Sequence, residues 1–534
     1  MSGEPTVFST FAASAARWPE RPFLNVLPET ADIYGIDAGE VTYADALDTV
    51  QGYAAEIDAA GYTRGQRVML LLENRPSYFL WWLAFNACGI SVVPVNPDLR
   101  KAEMAYMIGH AEPVLALSLA KRAEELRGAA QEAGVQMQVV CLGEALPHAT
   151  TVEAIAAREG NAEAALLYTS GTTGQPKGCI LTNEYFTEAG RWYSSATGVC
   201  ALNTDGERMI TPLPIFHMNA MAFSFMAMVA VGGCLTALDR FHPRSWWANV
   251  RDSGATCLHY LGVMPSMLMG TEPSADDRSH SVRFGFGAGI DPELHAPFEA
   301  RFGITLTEAW AMTETGAGGT ICANREPRNV GTSCIGWPDD TVEARLVDDA
   351  GNDCDHGELL VRHAGDNPRK GFFAGYFKNQ AATDEAWEGG WFHTGDIVRR
   401  AADGTMYFVD RKKNVIRRSG ENIAAVEVES ALAQHPAIKS VAVAAVPDAI
   451  RGDEVFACIV PEGDASAGLA EEITRWCLTQ LAYYKAPGFI AFVDGLPVTA
   501  TQKLQRATLK TLAADLLNDP ATVDTRHLKK RSAA

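Results

Sequence analysis

The sequence lacks the features that define a disulfide-rich or secreted protein. Its eleven cysteines include no Cys-x-x-Cys pair and no cluster with histidine, which argues against a disulfide framework and a structural zinc site. The first twenty residues have no basic region ahead of an apolar core, so we expect no signal peptide. Together these absences indicate a reducing compartment, and we expect a cytoplasmic protein.

Long uncharged apolar runs are also scarce. The stretch that needs checking is residues 209–238, which contains no Asp, Glu, Lys or Arg. Two prolines, two glycines, a histidine and an asparagine interrupt it, and its apolar part, residues 220–231, is too short to cross about 30 Å of hydrocarbon as a helix. We therefore predict a buried helix followed by a strand, and no membrane span.

Positive charge is in deficit, with 45 basic against 65 acidic residues and a net charge of −20. Such a surface argues against nucleic acid and anionic membranes as partners, and an anionic ligand would need a local positive site. The 534 residues are too many for one hydrophobic core, so two or more domains are expected. We find no internal repeat and no low-complexity tract.

Apolar segments of strand length alternate with segments of helix length in the first third of the chain. Such alternation predicts an α/β domain with a mostly parallel sheet. The predicted strands are residues 66–72, 91–94, 113–117, 138–142 and 164–168, and the predicted helices are 76–88 and 101–110. The last 120 residues instead suggest a small α+β domain. We expect a helix end and an alternating strand over 435–446, a strand over 454–460, an amphipathic helix over 469–481 and a frayed tail from Leu528.

One glycine- and threonine-rich stretch, ALLYTSGTTGQPKGCILTN at residues 165–183, separates two apolar runs. Glycines let backbone N–H groups turn toward one point, and four hydroxyls and a lysine line the same loop. Such a nest suits an anion with several oxygens, above all a polyphosphate. It is not a Walker A motif, because Pro176 precedes the lysine and a glycine follows it. We call residues 169–177 the phosphate loop; an ordinary exposed loop is the alternative.

Three further motifs are weak when taken one at a time. FGFGAGID (284–291) places glycines at a predicted strand end, where backbone could approach a flat ring. In EAWAMTETG (308–316), Thr313 could contact a phosphate and Glu314 could hold Mg²⁺. In WFHTGD (391–396), Asp396 could accept hydrogen bonds from both ribose hydroxyls. An ordinary turn or loop is the alternative for each.

The phosphate loop and the motifs that follow it in order resemble those of the adenylate-forming superfamily, which comprises acyl-CoA synthetases, peptide-synthetase adenylation domains and beetle luciferases. The likeness runs over nearly the whole chain. It implies a large layered N-terminal domain with mostly parallel sheets (1–411) and a small, mobile α+β C-terminal domain (412–534). ATP, Mg²⁺ and coenzyme A are the implied ligands, and a homodimer is the oligomeric state that relatives suggest.

The resemblance also implies a role for individual residues. The ATP site would contain Thr169, Ser170, Gly171, Thr172, Thr173, Gly174, Lys177, Gly287, Ala288, Gly289, Trp310 stacked on adenine, and Asp396 and Arg411 on the ribose. Thr313, Glu314 and Lys503 would be catalytic, with Glu314 as the metal ligand and Lys413 as the hinge. The acyl pocket would contain His217, Met218, Asn219, Gly316, Ala317 and Gly318, and the CoA tunnel Ser419, Gly420, Glu421 and Asn422.

Two positions depart from the family's pattern. Ala311 replaces a glycine within the Thr-Glu motif, and Gln502 replaces a glycine beside the catalytic lysine. Both changes bear on loop geometry and leave the chemical groups in place.

The implied activity is that of an ATP-dependent acyl-CoA ligase, which forms an acyl-AMP and then a thioester. Thr-Gln-Lys at 501–503 and FHMNAM at 216–221 most resemble the crotonobetaine/carnitine-CoA ligase-like branch. A stand-alone adenylation enzyme that loads a carrier protein is the main alternative, and a catalytically inactive binding protein of the same fold is a third. The residues around the pocket do not select one carboxylic acid.

Overall fold

The computed structural model describes residues 4–150, 162–169, 176–411, 415–497 and 504–530. Its contacts divide the chain into two compact units. The larger contains Met1–Pro97, Ala111–Leu167 and Gly178–Asp410. The smaller contains Asp98–His110, Tyr168–Lys177 and Arg411–Ala534, so it includes two short early segments as well as the C-terminal part of the chain.

An eight-stranded sheet of the larger unit carries most of the predicted site motifs. Its inner strands are parallel and only its two edge strands are antiparallel. In spatial order the strands are Ile321–Cys322, Thr305–Trp310, Phe284–Ala288, Cys257–Leu261, Arg208–Thr211, Cys234–Ala237, Pro22–Val26 and Gly39–Thr42.

A seven-stranded sheet, again mostly parallel, is built largely from the first third of the chain. In spatial order its strands are Gly375–Tyr376, Lys177–Thr182, Glu163–Thr169, Ser91–Pro94, Arg67–Leu71, Leu115–Ser118 and Gln138–Cys141. Its central strands Arg67–Leu71 and Ser91–Pro94 are buried apart from the partly exposed Arg67, which explains why polar and apolar residues do not alternate along them. The predicted strands and helices of residues 66–168 are confirmed to within a few residues.

A third sheet of the larger unit is antiparallel, which the sequence pattern did not predict. Its strands in order are Cys334–Gly336, Met406–Arg411, Phe392–Arg400, His356–His363 and Val342–Val347. In the smaller unit, a six-stranded sheet contains Glu421–Ala424, Val415–Arg418, Gly452–Pro461, Phe489–Phe492 and Val523–Asp524, with Ile438–Asp448 paired to Gly452–Pro461.

Helices cover the sheets, and their ends follow local sequence signals. Pro76 occupies the first turn of its helix, and Gly61 ends another in the left-handed conformation, with φ of +86°. The α-helices are Val7–Arg17, Pro28–Tyr34, Tyr43–Ala60, Pro76–Ala87, Lys101–Ala111, Ala120–Ala133, Asn183–Ser194, Met226–Val231, Trp246–Asp252, Val263–Met269, Pro292–Phe302, Gln380–Ala386, Ala425–Leu432, Ala467–Gln480 and Arg506–Leu516.

The uncharged stretch 209–238 forms the predicted buried helix and strand. Asn219–Phe225 is a π-helix that continues into Met226–Val231, and the strand Cys234–Ala237 follows. Phe225 stacks on Phe79, with ring centroids 4.4 Å apart, so the stretch packs in the core of the larger unit. No helix within the described part of the chain is both long enough and apolar enough to cross a bilayer.

The prediction of a frayed tail from Leu528 is wrong at its first residues. Lys529 is buried and forms an ion pair with Glu454, which also pairs with Arg418 at 2.9 Å. The preceding strand Val523–Asp524 pairs with Phe489–Phe492, which holds this segment on the sheet. Long-range pairing, which local composition does not reveal, therefore holds Val523–Asp524 and Lys529 in place.

Candidate active site

Four neighbouring parallel strands of the eight-stranded sheet bring the predicted site segments to one edge. In spatial order they are Thr305–Trp310, Phe284–Ala288, Cys257–Leu261 and Arg208–Thr211. In open α/β sheets, ligands bind beyond the carboxyl ends of such strands. The segments that follow three of them contain the Thr-Glu motif, the glycine-rich motif and the His217–Asn219 segment, which therefore lie at a common edge.

Packing between adjacent strands explains the glycines of residues 284–291. A Cβ atom at Gly287 would lie 2.2 Å from the carbonyl oxygen of Tyr260, which leaves no room for a side chain. Gly289 has φ of +78°, a conformation that side chains disfavour. These glycines therefore have a structural reason, and their predicted contact with adenine stays a prediction.

A buried carboxylate that the sequence analysis did not identify, Glu308, holds this glycine turn in place. Its two oxygens accept hydrogen bonds from the backbone N–H groups of Gly289 (3.0 Å) and Ile290 (3.2 Å). The hydroxyl of Tyr260 donates a further bond of 2.7 Å. Burial raises the pKa of Glu308, although these hydrogen bonds act to lower it. The sequence feature that could have identified Glu308 is an acidic residue within a predicted buried strand.

The structure brings together two residues that the resemblance assigns to the nucleoside. Trp310 Nε1 donates a hydrogen bond of 2.8 Å to Asp396 Oδ2. Trp310 ends a parallel strand of the eight-stranded sheet, whereas Asp396 lies on Phe392–Arg400 of the antiparallel sheet. Both residues are buried, at 6% and 2% exposure. The indole therefore orients the carboxylate at the junction of the two sheets.

Two tyrosines position the Thr-Glu motif. Tyr376 donates a hydrogen bond of 3.0 Å to Glu314 Oε1, and Tyr185 donates one of 2.9 Å to the carbonyl oxygen of Thr313. Tyr376 also pairs with Cys179, on the strand that leaves the phosphate loop. Burial, reinforced by the Glu314 carboxylate, raises the pKa of Tyr376, so its hydroxyl stays a donor.

The residues present fit a magnesium ion that arrives with a polyphosphate. Mg²⁺ is commonly bound by one or two carboxylates together with phosphate oxygens and water. Glu314 supplies one carboxylate, and no group of three His, Cys, Asp or Glu side chains among the described residues could hold a metal by itself. A single carboxylate is compatible with a metal whose other ligands would come from the nucleotide, and the role of Glu314 as the metal ligand stays a prediction.

The small residues that follow Glu314 pack tightly against their neighbours. A Cβ atom at Gly316 would lie 2.4 Å from Gly371 O, and one at Gly318 would lie 2.1 Å from Lys370 O. Ala317 is 3% exposed. On these sides Gly316 and Gly318 face protein, and the assignment of Gly316, Ala317 and Gly318 to an acyl pocket stays a prediction.

A buried histidine that the sequence analysis missed lies beside the predicted acyl pocket. His259 Nδ1 is 2.8 Å from Asn219 Oδ1 and 2.8 Å from Ser224 Oγ, and Nε2 is 3.2 Å from the hydroxyl of Tyr193. Burial lowers the pKa of His259 to about 3, so the ring is neutral. Its position in the apolar strand CLHYL was the only sequence signal.

Two further residues predicted to line the acyl pocket, His217 and Met218, directly precede Asn219. Met218 is half-buried against the core of the larger unit, and the His217 ring lies 4.7 Å from that of Phe216. The structure therefore places His217, Met218 and Asn219 in one segment beyond the strand Arg208–Thr211.

Several predicted site residues lie outside the described part of the chain. They are Ser170, Gly171, Thr172, Thr173 and Gly174 of the phosphate loop, the hinge Lys413 and the catalytic Lys503. Thr169 is the last residue of the strand before the loop, and Lys177 is the first residue of the strand after it. Arg411 is the last residue of the strand Met406–Arg411.

The residues predicted to line the CoA tunnel lie on a short hairpin. Arg418 pairs with Glu421 across a two-residue turn, in which Ser419 has φ of +51° and Gly420 φ of +89°. Asn422 lies on the second strand, paired with Arg417. The assignment of Ser419, Gly420, Glu421 and Asn422 to a CoA tunnel stays a prediction.

Comparison with known proteins agrees with this geometry. The family model for AMP-binding enzymes matches residues 11–377, and the model for their C-terminal domain matches residues 427–503. A crotonobetaine/carnitine–CoA ligase of Salmonella arizonae is 31% identical over 90% of this chain and 96% of that protein. A sulfoacetate–CoA ligase of Cupriavidus necator is 32% identical over 95% of this chain and 98% of that protein.

Solved structures show the same fold. An o-succinylbenzoate CoA synthetase of Bacillus subtilis has a TM-score of 0.79 at 24% identity, covering 94% of this chain and 98% of that chain. A malonyl-CoA ligase in a product complex with methylmalonyl-CoA and AMP has a TM-score of 0.74 at 25% identity, covering 92% and 100%. The predicted fold class is confirmed, and the chain belongs to the AMP-binding enzyme family, as an ATP-dependent acid–thiol ligase of the acyl-CoA synthetase type.

Proposed function

We propose that this protein activates a small carboxylic acid in two steps at the edge described above. In the first, a carboxylate oxygen attacks the α-phosphorus of ATP, and the bond to pyrophosphate breaks. In the second, the sulfur of CoA attacks the acyl carbon, the bond to AMP breaks, and the thiol proton is released. The Trp310–Asp396 hydrogen bond carries the proposal, because it joins an aromatic ring to an acid suited to a ribose.

Neither step requires a covalent bond to the protein, so positioning and charge neutralisation are its main tasks. Asp396 and Arg411 would bind the ribose, and Thr169 to Lys177 would hold the β- and γ-phosphates. Thr313 would contact a phosphate, and Lys503 would bridge the carboxylate and the α-phosphate. Glu314, held by Tyr376, would bind Mg²⁺, which when bound neutralises phosphate charge.

The second step would use a different orientation of the C-terminal domain, which we place at 412–534. Lys413 would absorb the backbone change of the hinge, and the Ser419–Asn422 turn would line the tunnel for CoA. The positive φ values at Ser419 and Gly420 support the assignment of this turn to the tunnel, because they make a tight, half-buried hairpin that can present its backbone to a ligand.

For the acid we propose a short, polar molecule. The Asn219 carbonyl faces His259, so its amide N–H donors point away from that buried group. No described residue accepts a bond from Asn219 Nδ2, which leaves a donor for a polar group on the acid. The relatives named for crotonobetaine, carnitine and sulfoacetate also act on short acids with a second charged group.

The experiment that tests the proposal measures AMP release from ATP with a panel of acids and two acceptors. Release that depends on free CoA supports the ligase, and release only with a holo-carrier protein supports the alternative of carrier loading. Exchange of labelled pyrophosphate into ATP, measured with each acid alone, isolates the first step. Absence of exchange with every acid, in a protein that binds ATP, would favour the inactive binding protein.

A further inference from the structure

The C-terminal tail, residues 523–530, contacts a buried carboxylate that also holds the turn at Ser419–Gly420. The side chain of Lys529 is 1% exposed, and it forms an ion pair with the fully buried Glu454. Arg418 Nε lies 2.9 Å from each oxygen of the same carboxylate. Arg418 directly precedes the turn, and all of these residues belong to one compact unit. The end of the chain is therefore linked to the turn through two buried side chains.

The tail approaches Glu454 with little freedom to adjust. The buried Thr525 donates a hydrogen bond of 2.9 Å from its hydroxyl to the carbonyl oxygen of Pro487. Its backbone N–H donates a second bond of 2.9 Å to the carbonyl oxygen of Gly488. A Cβ atom at Gly488 would lie 2.5 Å from Glu454 Cδ, so this part of the chain packs directly against the carboxylate. These contacts bring Lys529 to a fixed place beside Glu454.

Glu454 keeps its charge although it is buried. Burial alone would raise its pKa, but Lys529 and Arg418 outweigh burial and lower the pKa. Burial and the charge of Arg418 lower the pKa of Lys529 to about 7, against the effect of Glu454. A lysine amine donates a hydrogen bond in either protonation state, so the contact does not depend on that proton. Loss of the amine would leave a buried carboxylate without one of its donors, which is costly.

The turn depends on contacts from outside because one of its residues has an unfavourable backbone conformation. Ser419 has φ of +51°, and a residue other than glycine keeps such a conformation only where its surroundings fix it. The Ser419 N–H donates a bond of 2.9 Å to the carbonyl oxygen of Arg451, and the Arg417 N–H donates one of 2.9 Å to Asp453 Oδ2. The segment that contains both acceptors also supplies the carboxylate for Arg418. Three consecutive residues of the hairpin therefore depend on this segment.

We propose that Lys529 is a positioning residue for the transfer of the acyl group to CoA. Acting through Glu454 and Arg418, it keeps the turn at Ser419–Gly420 in the conformation that binds CoA. In that step the bond from the CoA sulfur to the acyl carbon forms, the bond to AMP breaks and the thiol proton is released. The inference rests on the proposed function, since it takes this turn to line the CoA tunnel. Its distinctive consequence is that loss of Lys529 impairs the second half-reaction and spares the first, although both use the same domain.

The test measures both half-reactions of the full-length protein with the acid that gives the fastest AMP release. Lys529→Met keeps the apolar stem and removes the amine. It should raise the KM for CoA about tenfold, the effect of one lost hydrogen bond, with pyrophosphate exchange within about twofold of wild type. Retained exchange shows that the small domain is folded, because exchange uses Lys503 of that domain.

Thr525→Val is the matched control. It removes a buried hydrogen bond from the same tail and leaves the contact between Lys529 and Glu454 in place. It should lower the melting temperature but keep the KM for CoA within about twofold of wild type. An equal rise of this KM in both variants would mean that any loosening of the tail has the same effect, and would overturn the role of Lys529.

A double-variant cycle tests whether the lysine acts through the turn. Glycine adopts positive φ readily, so after Ser419→Gly the turn depends less on its contacts with the rest of the domain. In that background Lys529→Met should raise the KM for CoA by no more than about threefold, so the two changes are not additive. A rise of the same size in both backgrounds would contradict an action through the conformation of the turn.

The remaining outcomes separate this inference from the proposed function. An unchanged KM for CoA in Lys529→Met would overturn the positioning role alone. If the wild-type protein exchanges pyrophosphate but releases no AMP with CoA, the acceptor is not CoA, and both proposals fall. Should Lys529→Met fold poorly, Lys529→Gln retains a donor on a shorter side chain and should raise the KM about threefold. Parallel loss of both half-reactions in Lys529→Gln would also overturn the role.

Discussion

The indole of Trp310 donates its N–H to the carboxylate of Asp396 across 2.8 Å, and this bond links the parallel sheet to the antiparallel one. One carboxylate oxygen is thereby engaged, which restricts the orientation of the group. Thr394 helps to hold the backbone of Asp396, since the Thr394 hydroxyl accepts a hydrogen bond of 3.0 Å from the Asp396 backbone N–H. A carboxylate with its orientation set in advance is well suited to bind the two adjacent hydroxyls of a ribose.

Replacing Asp396 with alanine should weaken ATP and AMP binding alike, by about 10- to 100-fold, because hydrogen bonds to a charged group contribute about 1.5 to 3 kcal/mol. Trp310→Phe keeps an aromatic ring but removes the N–H donor, and it should cost less, about tenfold. Equilibrium titration with each nucleotide measures both effects. Unaltered affinity for AMP in Asp396→Ala would remove this residue from the ribose site.

Replacing Lys503 with alanine should abolish the first half-reaction and spare the second. The lysine is assigned to charge that develops as the carboxylate attacks the α-phosphorus, and loss of such a contact typically costs about 10²- to 10³-fold in rate. Pyrophosphate exchange measures the first step, and thioester formation from supplied acyl-AMP measures the second. Equal loss in both assays would reject the assigned role.

Replacing Lys413 with proline should have the opposite pattern. Proline restricts φ to about −65°, so a hinge at this position could no longer change its backbone conformation. Pyrophosphate exchange should persist while CoA-dependent AMP release stalls. An unchanged rate of the complete reaction would argue against a hinge at this residue.

Glu299 should stabilise the fold in a pH-dependent way. Burial by itself raises its pKa, but hydrogen bonds from His295, Arg328 and the Leu306 backbone outweigh burial and lower the pKa to about 2. A carboxyl group with a lowered pKa in the folded state contributes stability above its unfolded pKa of about 4.5, and this contribution is lost as pH falls toward 2. Glu299→Gln should therefore lower the free energy of unfolding by about 2 to 3 kcal/mol at pH 7.

The pH dependence provides the check. Urea unfolding from pH 7 to pH 4 should show the difference between wild type and Glu299→Gln narrowing once pH falls below about 4.5. Glu326→Gln is the control, because Glu326 pairs with the same Arg328 but its side chain is 70% exposed, so its loss should cost at most about 1 kcal/mol. A constant difference across the pH range would contradict the assignment.

Local pattern predicted much of the fold because several segments carry their own signals. The strand Arg67–Leu71 is apolar after its first residue, and the helix Pro76–Ala87 begins with proline. Two glycines separate the helix Met226–Val231 from the strand Cys234–Ala237. In each case the deciding interactions, namely burial of adjacent side chains, a preset φ and a tight turn, lie within a few residues of each other.

Other features depend on residues far apart in the chain, and pattern could not predict them. The role of Glu308 depends on its hydrogen bonds with Tyr260 and with the turn at Gly289. That of His259 depends on its contacts with three side chains, namely Asn219, Ser224 and Tyr193. The ordered tail needs Lys529 to meet Glu454, 75 positions earlier. A single polar residue in an apolar strand indicates that it has a hydrogen-bond partner, because burying a polar group without one is costly. It does not indicate which residue that partner is.

The sequence alone determined that this protein is a two-part α/β enzyme of the adenylate-forming kind. The motifs that identify the family are short contiguous stretches, and both the motifs and their order can be read directly from the sequence. Only the tertiary structure decided how the side chains of those motifs are held: an indole orients the carboxylate of Asp396, and a tyrosine orients that of Glu314. The physical reason is that hydrogen bonds act over about 3 Å, and only folding brings distant residues that close.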